Sequence, residues 1–214
     1  MAKRILFQGD SITDCGRARN NLFHLGDGYA NLVKATLGFE NPGEYEFINQ
    51  GVSGNRIVDL YARIKSDFIN LQPDYASVLI GTNDTWHEIS RQNGVETEKF
   101  EKIYTMLIEE VLAACPNVKL MIFAPFIVEG CSTSNTEEEP NRFERFKVDI
   151  AEKIAAAKRV AEKFNLPCVD LQEAFDKACT LAPSEYWTHD GVHPTACGHE
   201  IIKRLWIETF EKIK

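Results

Sequence analysis

Short apolar runs alternate with longer segments of helical periodicity along the whole chain, and this alternation constrains the fold more than any other feature. The apolar runs are residues 5–7, 45–48, 75–80, 118–124 and 168–171. Strands that alternate with helices pair in parallel and carry helices on both faces of the sheet. The sequence therefore predicts an α/β protein with a five-stranded parallel sheet between two helical layers, in the flavodoxin-like strand order 2-1-3-4-5.

The segments between the strands carry apolar residues at helical intervals. They predict helices at residues 29–37, 57–68, 97–114, 142–164 and 172–181, and a last helix that begins just after Pro194. No internal repeat or linker interrupts this pattern. A chain of 214 residues is large enough to bury one core, so we predict a single domain of residues 1–214.

The charge and the cysteines argue against several classes of protein. A formal net charge of -8 disfavours nucleic acid and anionic membranes as partners, and no apolar run is long enough to span a bilayer. The apolar run behind Lys3 and Arg4 is too short for a signal peptide, which predicts a cytoplasmic protein. The six cysteines show neither a CxxC pair nor zinc spacing, so we predict no metal and no cofactor.

The segment Gly9-Asp10-Ser11 follows the first predicted strand directly. Glycine breaks the strand, so Ser11 is delivered at its carboxyl end, the edge where ligands bind in open α/β sheets. A serine after a strand often serves only as a cap. Its place at this edge makes Ser11 the candidate nucleophile. Ser53 is a rival, but the chain has no G-x-S-x-G motif and we interpret Ser53 as a turn residue.

Strands two, one and three lie side by side in the predicted order, so the loops that follow them converge. These loops are residues 51–55, 9–11 and 81–84. Acyl transfer from an ester passes through a tetrahedral oxyanion and needs hydrogen-bond donors where that charge develops. The candidate donors are the backbone N–H groups of Ser11 and Gly54 and the side-chain amide of Asn83.

An activated serine also needs a general base, and the candidates are His24, His87, His189, His193 and His199. Asp190 lies three residues before His193, a spacing that lets one turn of chain bring a carboxylate to the imidazole and hold its tautomer. Pro194 favours an extended backbone at the residue before it. The spacing therefore predicts Asp190 and His193 as the partners of Ser11.

Together these blocks resemble the signature blocks of the SGNH, or GDSL, hydrolases: Gly9-Asp10-Ser11, Gly54, Gly81-Thr82-Asn83-Asp84 and Asp190-Gly191-Val192-His193. The stretches 9–17, 53–55, 83–86 and 125–126 are also similar to those of bacterial carbohydrate acetylesterases, in particular acetylxylan esterases. The resemblance implies the SGNH hydrolase fold and a serine esterase that removes acetyl groups from sugars without a metal. It implies Ser11 as nucleophile, His193 as general base and then acid, and Asp190 as the orienting carboxylate.

The predicted substrate contacts are Asp10, Trp86, Tyr186 and Trp187, which lie at the predicted active edge. For Asp10 the alternative is that it bonds nearby backbone N–H groups and holds its loop. For the aromatic residues the alternative is a place in the core. In some acetylesterases of the family an aromatic residue precedes the triad aspartate, whereas this chain has His189 there.

Several alternatives to a sugar acetylesterase stay open. A lysophospholipase or thioesterase of the same fold would use the same residues on longer acyl chains. A flavodoxin-like module that only binds a ligand would need a phosphate cradle after the first strand, where Asp10 and Asp14 would repel phosphate. His189, Asp190 and His193 could together bind a metal ion. The sugar, the acetyl position and the assembly of a homo-oligomer are also open.

Overall fold

The computed structural model describes residues 2–214, and Met1, which the predicted domain includes, lies outside the described residues. One sheet contains β1 (Lys3–Gly9), β2 (Tyr45–Asn49), β3 (Tyr75–Leu79), β4 (Lys119–Ala124) and β5 (Cys168–Asp170). All neighbouring strands pair in parallel, and their order is β2-β1-β3-β4-β5. The predicted α/β fold and strand order are therefore confirmed.

The helices of the described residues are α1 (Ser11–Asp14), α2 (Tyr29–Glu40), α3 (Ile57–Ala62), α4 (Ile64–Asp67), α5 (Thr82–Arg91), α6 (Thr97–Ala114), α7 (Arg142–Lys163), α8 (Leu171–Cys179), α9 (Ser184–Trp187) and α10 (Ala196–Ile213). A 3₁₀ turn, Ile69–Leu71, precedes β3. Between residues 2 and 214, no helix combines the length and the apolar character that a membrane crossing requires.

The strand β1 shows why the strands of this sheet are apolar without alternation. Ile5 and Phe7 pack into the core formed with α2, α8 and α10, whereas Leu6 packs into the core formed with α3, α6 and α7. Both faces of a parallel sheet are covered by helices, so neither face of the strand needs polar residues. The two helical layers thus leave the ends of the strands as the accessible edges of the sheet.

Some helical segments differ from the prediction. The helix predicted at 57–68 is divided into α3 and α4, which meet at Arg63. Helix α5 has no counterpart in the sequence analysis. Its first turn contains Asn83 and Asp84, which are typical of a loop, and its buried face is short. The single-turn helices α1 and α9 are too short to show a period of 3.6 residues.

The register of the sheet brings three loops to one edge. Phe7 pairs with Asn49 in β2, and Gly9 pairs with Leu79 in β3. The strands β2, β1 and β3 therefore end at nearly the same level. The loops that follow them lie side by side at the carboxyl edge, as the strand order predicts.

Candidate active site

The turn after β1 places Ser11 at the start of α1. Asp10 is the N-cap of this helix, and its Oδ1 accepts a hydrogen bond from the Ile12 N–H at 3.0 Å. A side chain at Gly9 would collide with the Leu79 carbonyl and the Thr13 hydroxyl, so only glycine fits there. The hydroxyl Oγ of Ser11 lies 3.0 Å from Nε2 of His193, which arrives from the other end of the chain.

The loop 188–194 holds His193 and Asp190 together. Nδ1 of His193 lies 2.8 Å from Oδ2 of Asp190, and Oδ1 of the same carboxylate accepts the backbone N–H groups of Val192 and His193 at 3.0 and 2.8 Å. Thr188 and Pro194 form an antiparallel bridge that closes the loop. The spacing of three residues thus brings the carboxylate to the imidazole, as the sequence predicts.

The segment after β4 supports this loop, a role for which the sequence analysis found no signal. The Val128 N–H donates to the Gly191 carbonyl at 2.9 Å, and the Ser132 N–H donates to the Asp190 carbonyl at 3.0 Å. A Cβ at Gly130 would collide with the backbone of Asp190 and Gly191. The two loops therefore pack backbone to backbone, and this close approach requires glycine.

Hydrogen bonding sets the charges of the pair. Burial alone would raise the pKa of Asp190, but the bonds from the His193 ring and from two backbone N–H groups lower it to about 2. The same hydrogen bond, which the Asp190 carboxylate accepts, raises the pKa of His193 above its ordinary value of 6.5. With Nδ1–H donating to Asp190, Nε2 of the neutral ring accepts a hydrogen bond from the Ser11 hydroxyl. The arrangement can take that proton and stabilise the resulting imidazolium.

Asp10 is buried rather than exposed at the active edge. The residue is only 1% exposed. Its Oδ1 caps α1, whereas its Oδ2 has no hydrogen-bond partner among the described residues. Burial raises its pKa to about 7, although the Ile12 N–H opposes this shift. These contacts correct the predicted substrate contact at Asp10 and favour the alternative, a residue that holds the loop.

The predicted oxyanion donors lie on the three converging loops. Gly54 adopts a φ of +82°, and no atom lies within 4 Å of the position of a Cβ there. The Asn83 amide donates to the Asn55 carbonyl at 3.2 Å, next to Gly54. Within residues 2–214 the backbone N–H groups of Ser11 and Gly54 donate to no protein acceptor. Free N–H groups at the edge of a site can bind an oxygen that gains negative charge.

Arg63 ties the first two of these loops together, and the sequence analysis missed it. Its guanidinium donates to the Gly9 carbonyl at 3.1 Å, to the Gln50 carbonyl at 2.8 Å and to Oδ1 of Asn55 at 2.7 Å. Helical periodicity alone suggests an ordinary helix position at this residue. Arg63 can link the two loops because it lies at the break between α3 and α4, and the periodicity does not show that break.

Asp84 connects the loop 81–84 to the start of α3, which directly follows the loop 51–55. Both of its carboxyl oxygens accept the Ile57 N–H, at 3.1 and 3.2 Å, and burial raises its pKa to about 8. The buried Asp84 carboxyl thus holds the loop 81–84 in place. The donor loops are thus fixed by buried polar groups rather than by apolar packing alone.

A cavity of about 540 Å³ opens at Ser11 and His193. The predicted aromatic contacts lie elsewhere: Tyr186 and Trp187 line a different cavity against α10, and the Trp86 ring packs on Phe146 at 5.4 Å. The structure therefore does not bring these side chains to the Ser11 cavity, because the apolar cores and the face of α10 offer them partners. A third cavity, of about 440 Å³ beside α7 and α8, contains none of the predicted site residues.

The other histidines near Ser11 have different surroundings. His199 is buried, its Nδ1 accepts the Tyr29 N–H at 3.1 Å, and its Nε2 lies 3.4 Å from the Cys15 sulfur. Burial lowers its pKa to about 4, so it is a neutral structural residue. In the part of the chain that the structure describes, no group of His, Cys, Asp and Glu, including His189 with its neighbours, is arranged to hold a metal ion.

Comparison with known proteins agrees with this geometry. Residues 7–201 match the GDSL-like lipase/acylhydrolase family. The chain is 35% identical to an acetylxylan esterase from Geobacillus stearothermophilus, over 96% of this chain and 92% of that protein. A crystal structure of a catalytic mutant of the acetylxylan esterase Axe2 from that organism superposes with a TM-score of 0.82 at 31% identity, over 98% and 95% of the two chains.

A second crystal structure, of a candidate GDSL-like lipase from Parabacteroides merdae, superposes with a TM-score of 0.86 at 34% identity, over 99% of this chain and 97% of that one. These structures share the predicted SGNH hydrolase fold. The match covers nearly the full sequence and includes all of the converging loops. The chain therefore belongs to the GDSL-like lipase/acylhydrolase family, and it is a carboxylic ester hydrolase.

Proposed function

We propose that this esterase removes short acyl groups from sugars through a triad of Ser11, His193 and Asp190 and a covalent acyl-enzyme. The observation that carries the proposal is the continuous contact from the Ser11 hydroxyl through the His193 ring to the Asp190 carboxylate, at 3.0 and 2.8 Å. A serine that is hydrogen-bonded to an oriented imidazole is an activated nucleophile.

The proposed reaction has two halves. Ser11 Oγ attacks the ester carbonyl carbon while its proton passes to His193 Nε2, and the carbonyl oxygen becomes an oxyanion held by the N–H groups of Ser11 and Gly54 and the Asn83 amide. When the intermediate collapses, the sugar oxygen leaves with the proton from His193. Water then attacks the acyl-enzyme by the same path and releases the acid.

We further propose acetylated xylo-oligosaccharides or related sugars as the substrate class. The support is the 35% identity to an acetylxylan esterase over most of both chains and the likeness to structures described as acetyl-xylooligosaccharide esterases. The cytoplasmic location, the single domain of residues 1–214 and a homo-oligomeric assembly stay predictions from the sequence.

The nucleophile is tested by Ser11→Ala. We expect the kcat for 4-nitrophenyl acetate to fall by about four to six powers of ten, because the variant lacks the hydroxyl that contacts His193. Ser53→Ala is the matched control, since Ser53 lies in the same cavity and is exposed. A Ser11→Ala variant that hydrolyses the ester at a near-normal rate would refute the assignment.

The acyl group is tested by a chain-length series of 4-nitrophenyl esters. We expect kcat/KM to be highest for acetyl and to fall steadily toward octanoyl. Activity that rises toward octanoyl would instead indicate a lysophospholipase or thioesterase. Release of acetate from acetylated xylo-oligosaccharides, followed by mass spectrometry of the products, then identifies the sugar and the position.

A further inference from the structure

Arg17 is a buried cation without a counter-ion. The residue is 8% exposed, its Nε donates to the Gly51 carbonyl at 2.6 Å, and its two terminal nitrogens make no hydrogen bond or ion pair within residues 2–214. Lys153, another buried cation in the same range, is paired with Asp149 at 3.1 Å, and the partly buried Arg63 is paired with Asp67 at 3.1 Å. Buried charges are stable in proteins only when they are paired or strongly hydrogen-bonded.

The carboxylates near Arg17 are already in use. Asp14 Oδ2 accepts Arg19 Nη2 at 2.6 Å and the Ser53 N–H at 2.9 Å. Asp67 is paired with Arg63. Arg17 therefore keeps an uncompensated positive charge beside a second arginine, although the protein as a whole carries a net charge of -8.

The free end of Arg17 belongs to the cavity at Ser11. Arg17, Arg19 and Asp14 all line that cavity together with Ser11 and His193. Two guanidinium groups there face one carboxylate, so the cavity carries excess positive charge next to the proposed nucleophile. A substrate that enters the cavity would meet both the reactive hydroxyl and the unpaired cation.

We propose that the substrate carries a carboxylate, as in a uronic acid unit of an acylated oligosaccharide, and that this carboxylate binds Arg17. This inference rests on the proposed function, because it places the anion on the acylated sugar. The two free terminal nitrogens present parallel donors that match the two oxygens of a carboxylate. Arg19, whose side chain is 54% exposed, adds charge at the rim of the cavity.

Binding to the wild-type protein tests the inference without any turnover. Calorimetry compares methyl glucuronoside with the matched glucuronamide, which has the same shape and no charge. We expect the acid to bind at least about tenfold more tightly, since a charge-assisted bidentate contact is lost in the amide. Equal affinities would overturn the proposal. Tighter binding of a pentose phosphate than of the acid would assign the site to a phosphorylated sugar and would also overturn it.

Variants locate the contact. Arg17→Gln is expected to reduce the acid-to-amide preference to near one, and Arg17→Lys to keep a part of it, because lysine keeps the charge without the paired donors. Thermal unfolding shows whether the Arg17→Gln variant is folded. If it is not, the relative affinities of the wild-type protein for the acid and the amide decide whether the carboxylate site exists. Arg19→Gln should lower the acid-to-amide preference a few-fold. Its matched control is Arg145→Gln, since Arg145 is 53% exposed and also forms one ion pair.

Turnover separates this inference from the proposed function. We expect kcat/KM for the acetylated glucuronoside to exceed that for the acetylated glucuronamide by about tenfold. Ser11-dependent hydrolysis of both at equal rates would overturn the carboxylate site and leave the esterase proposal intact. Preferential binding of the acid without Ser11-dependent hydrolysis would refute the triad and leave the anion site intact.

Discussion

Two aspartates flank the serine–histidine contact, and their surroundings differ in an instructive way. Asp190 lies on a loop, and its carboxylate receives the His193 ring and two backbone N–H groups, which lower its pKa to about 2. Asp10 follows β1 directly; one of its oxygens has no partner within residues 2–214, and burial raises its pKa to about 7. Both carboxyl groups raise the pKa of His193, and Asp190 has the larger effect.

The difference shows that hydrogen bonds to the carboxylate, rather than exposure alone, decide its charge. Burial raises the pKa of both groups, and only Asp190 has enough donors to reverse the shift. Asp190 is therefore a permanent anion suited to stabilise an imidazolium. Asp10 is a cap that loses its proton only near neutral pH, so we expect its removal to affect stability more than catalysis.

The largest effect that tests this comparison is expected for Asp190→Asn. The amide removes the anion and favours the wrong imidazole tautomer, so kcat should fall by about three to four powers of ten. Steady-state kinetics on 4-nitrophenyl acetate measures this. Asp170→Asn is the matched control, because Asp170 also accepts a backbone N–H and a cation but lies at the start of α8. A loss below tenfold would show that Asp190 does not orient the base.

A smaller effect is expected for Asp10→Asn, and it depends on pH. The folded-state pKa of Asp10, about 7, exceeds its ordinary value of 3.8. Because the folded state binds this proton more tightly, protonated Asp10 contributes fully to the free energy of unfolding below pH 4. That contribution is lost as the pH rises through 7. The asparagine variant escapes that loss, so its free energy of unfolding relative to wild type should rise by about 2–4 kcal/mol between pH 4 and pH 8.

Urea unfolding at several pH values measures this difference, with Asp176→Asn on helix α8 as the control. A difference that stays constant with pH would contradict the raised pKa. The kcat of Asp10→Asn should stay within about tenfold of wild type, because the variant keeps an oxygen for the Ile12 N–H. A catalytic loss as large as that of Asp190→Asn would remove the distinction between the two aspartates.

The smallest effect is expected for Thr133→Val, which weakens the support of the Asp190 loop. Thr133 Oγ1 accepts the Gly130 N–H at 2.8 Å and donates to the Val128 carbonyl at 2.7 Å. Its loss should lower the free energy of unfolding by about 1–3 kcal/mol and lower kcat up to about tenfold. Thr209→Val in α10 is the control, as its buried hydroxyl bonds only the Leu205 carbonyl. An unchanged kcat would show that the loop keeps its geometry without this support.

Much of the fold could be predicted because it depends on local patterns. Continuous apolar runs such as Ile5, Leu6 and Phe7 report burial on both faces of a strand. The ends of those strands then bring the predicted polar blocks to one edge. The contact of Asp190 with His193 follows from their spacing of three residues. The approach of His193 to Ser11 depends in addition on the packing of its loop against the segment after β4, which no local pattern shows.

The remaining features depend on contacts between distant residues. Arg63 bonds Gly9 over a separation of 54 residues, and no period in the sequence reports such a contact. The contact of Trp86 is also one between distant residues. Its place on a polar segment suggests a substrate contact, but its ring packs on Phe146. Local patterns show which residues are apolar or polar, whereas tertiary packing decides which partners they meet.

The tie made by Arg63 has a consequence for how this enzyme can diversify. One guanidinium bonds the Gly9 carbonyl before the nucleophile and the Gln50 carbonyl before the donor loop, so the positions of those two segments are coupled. A substitution that shifts either segment would therefore also disturb the other. We expect new specificities to arise instead at the exposed rim of the cavity, where Arg19 lies and does not bond the segments that Arg63 holds.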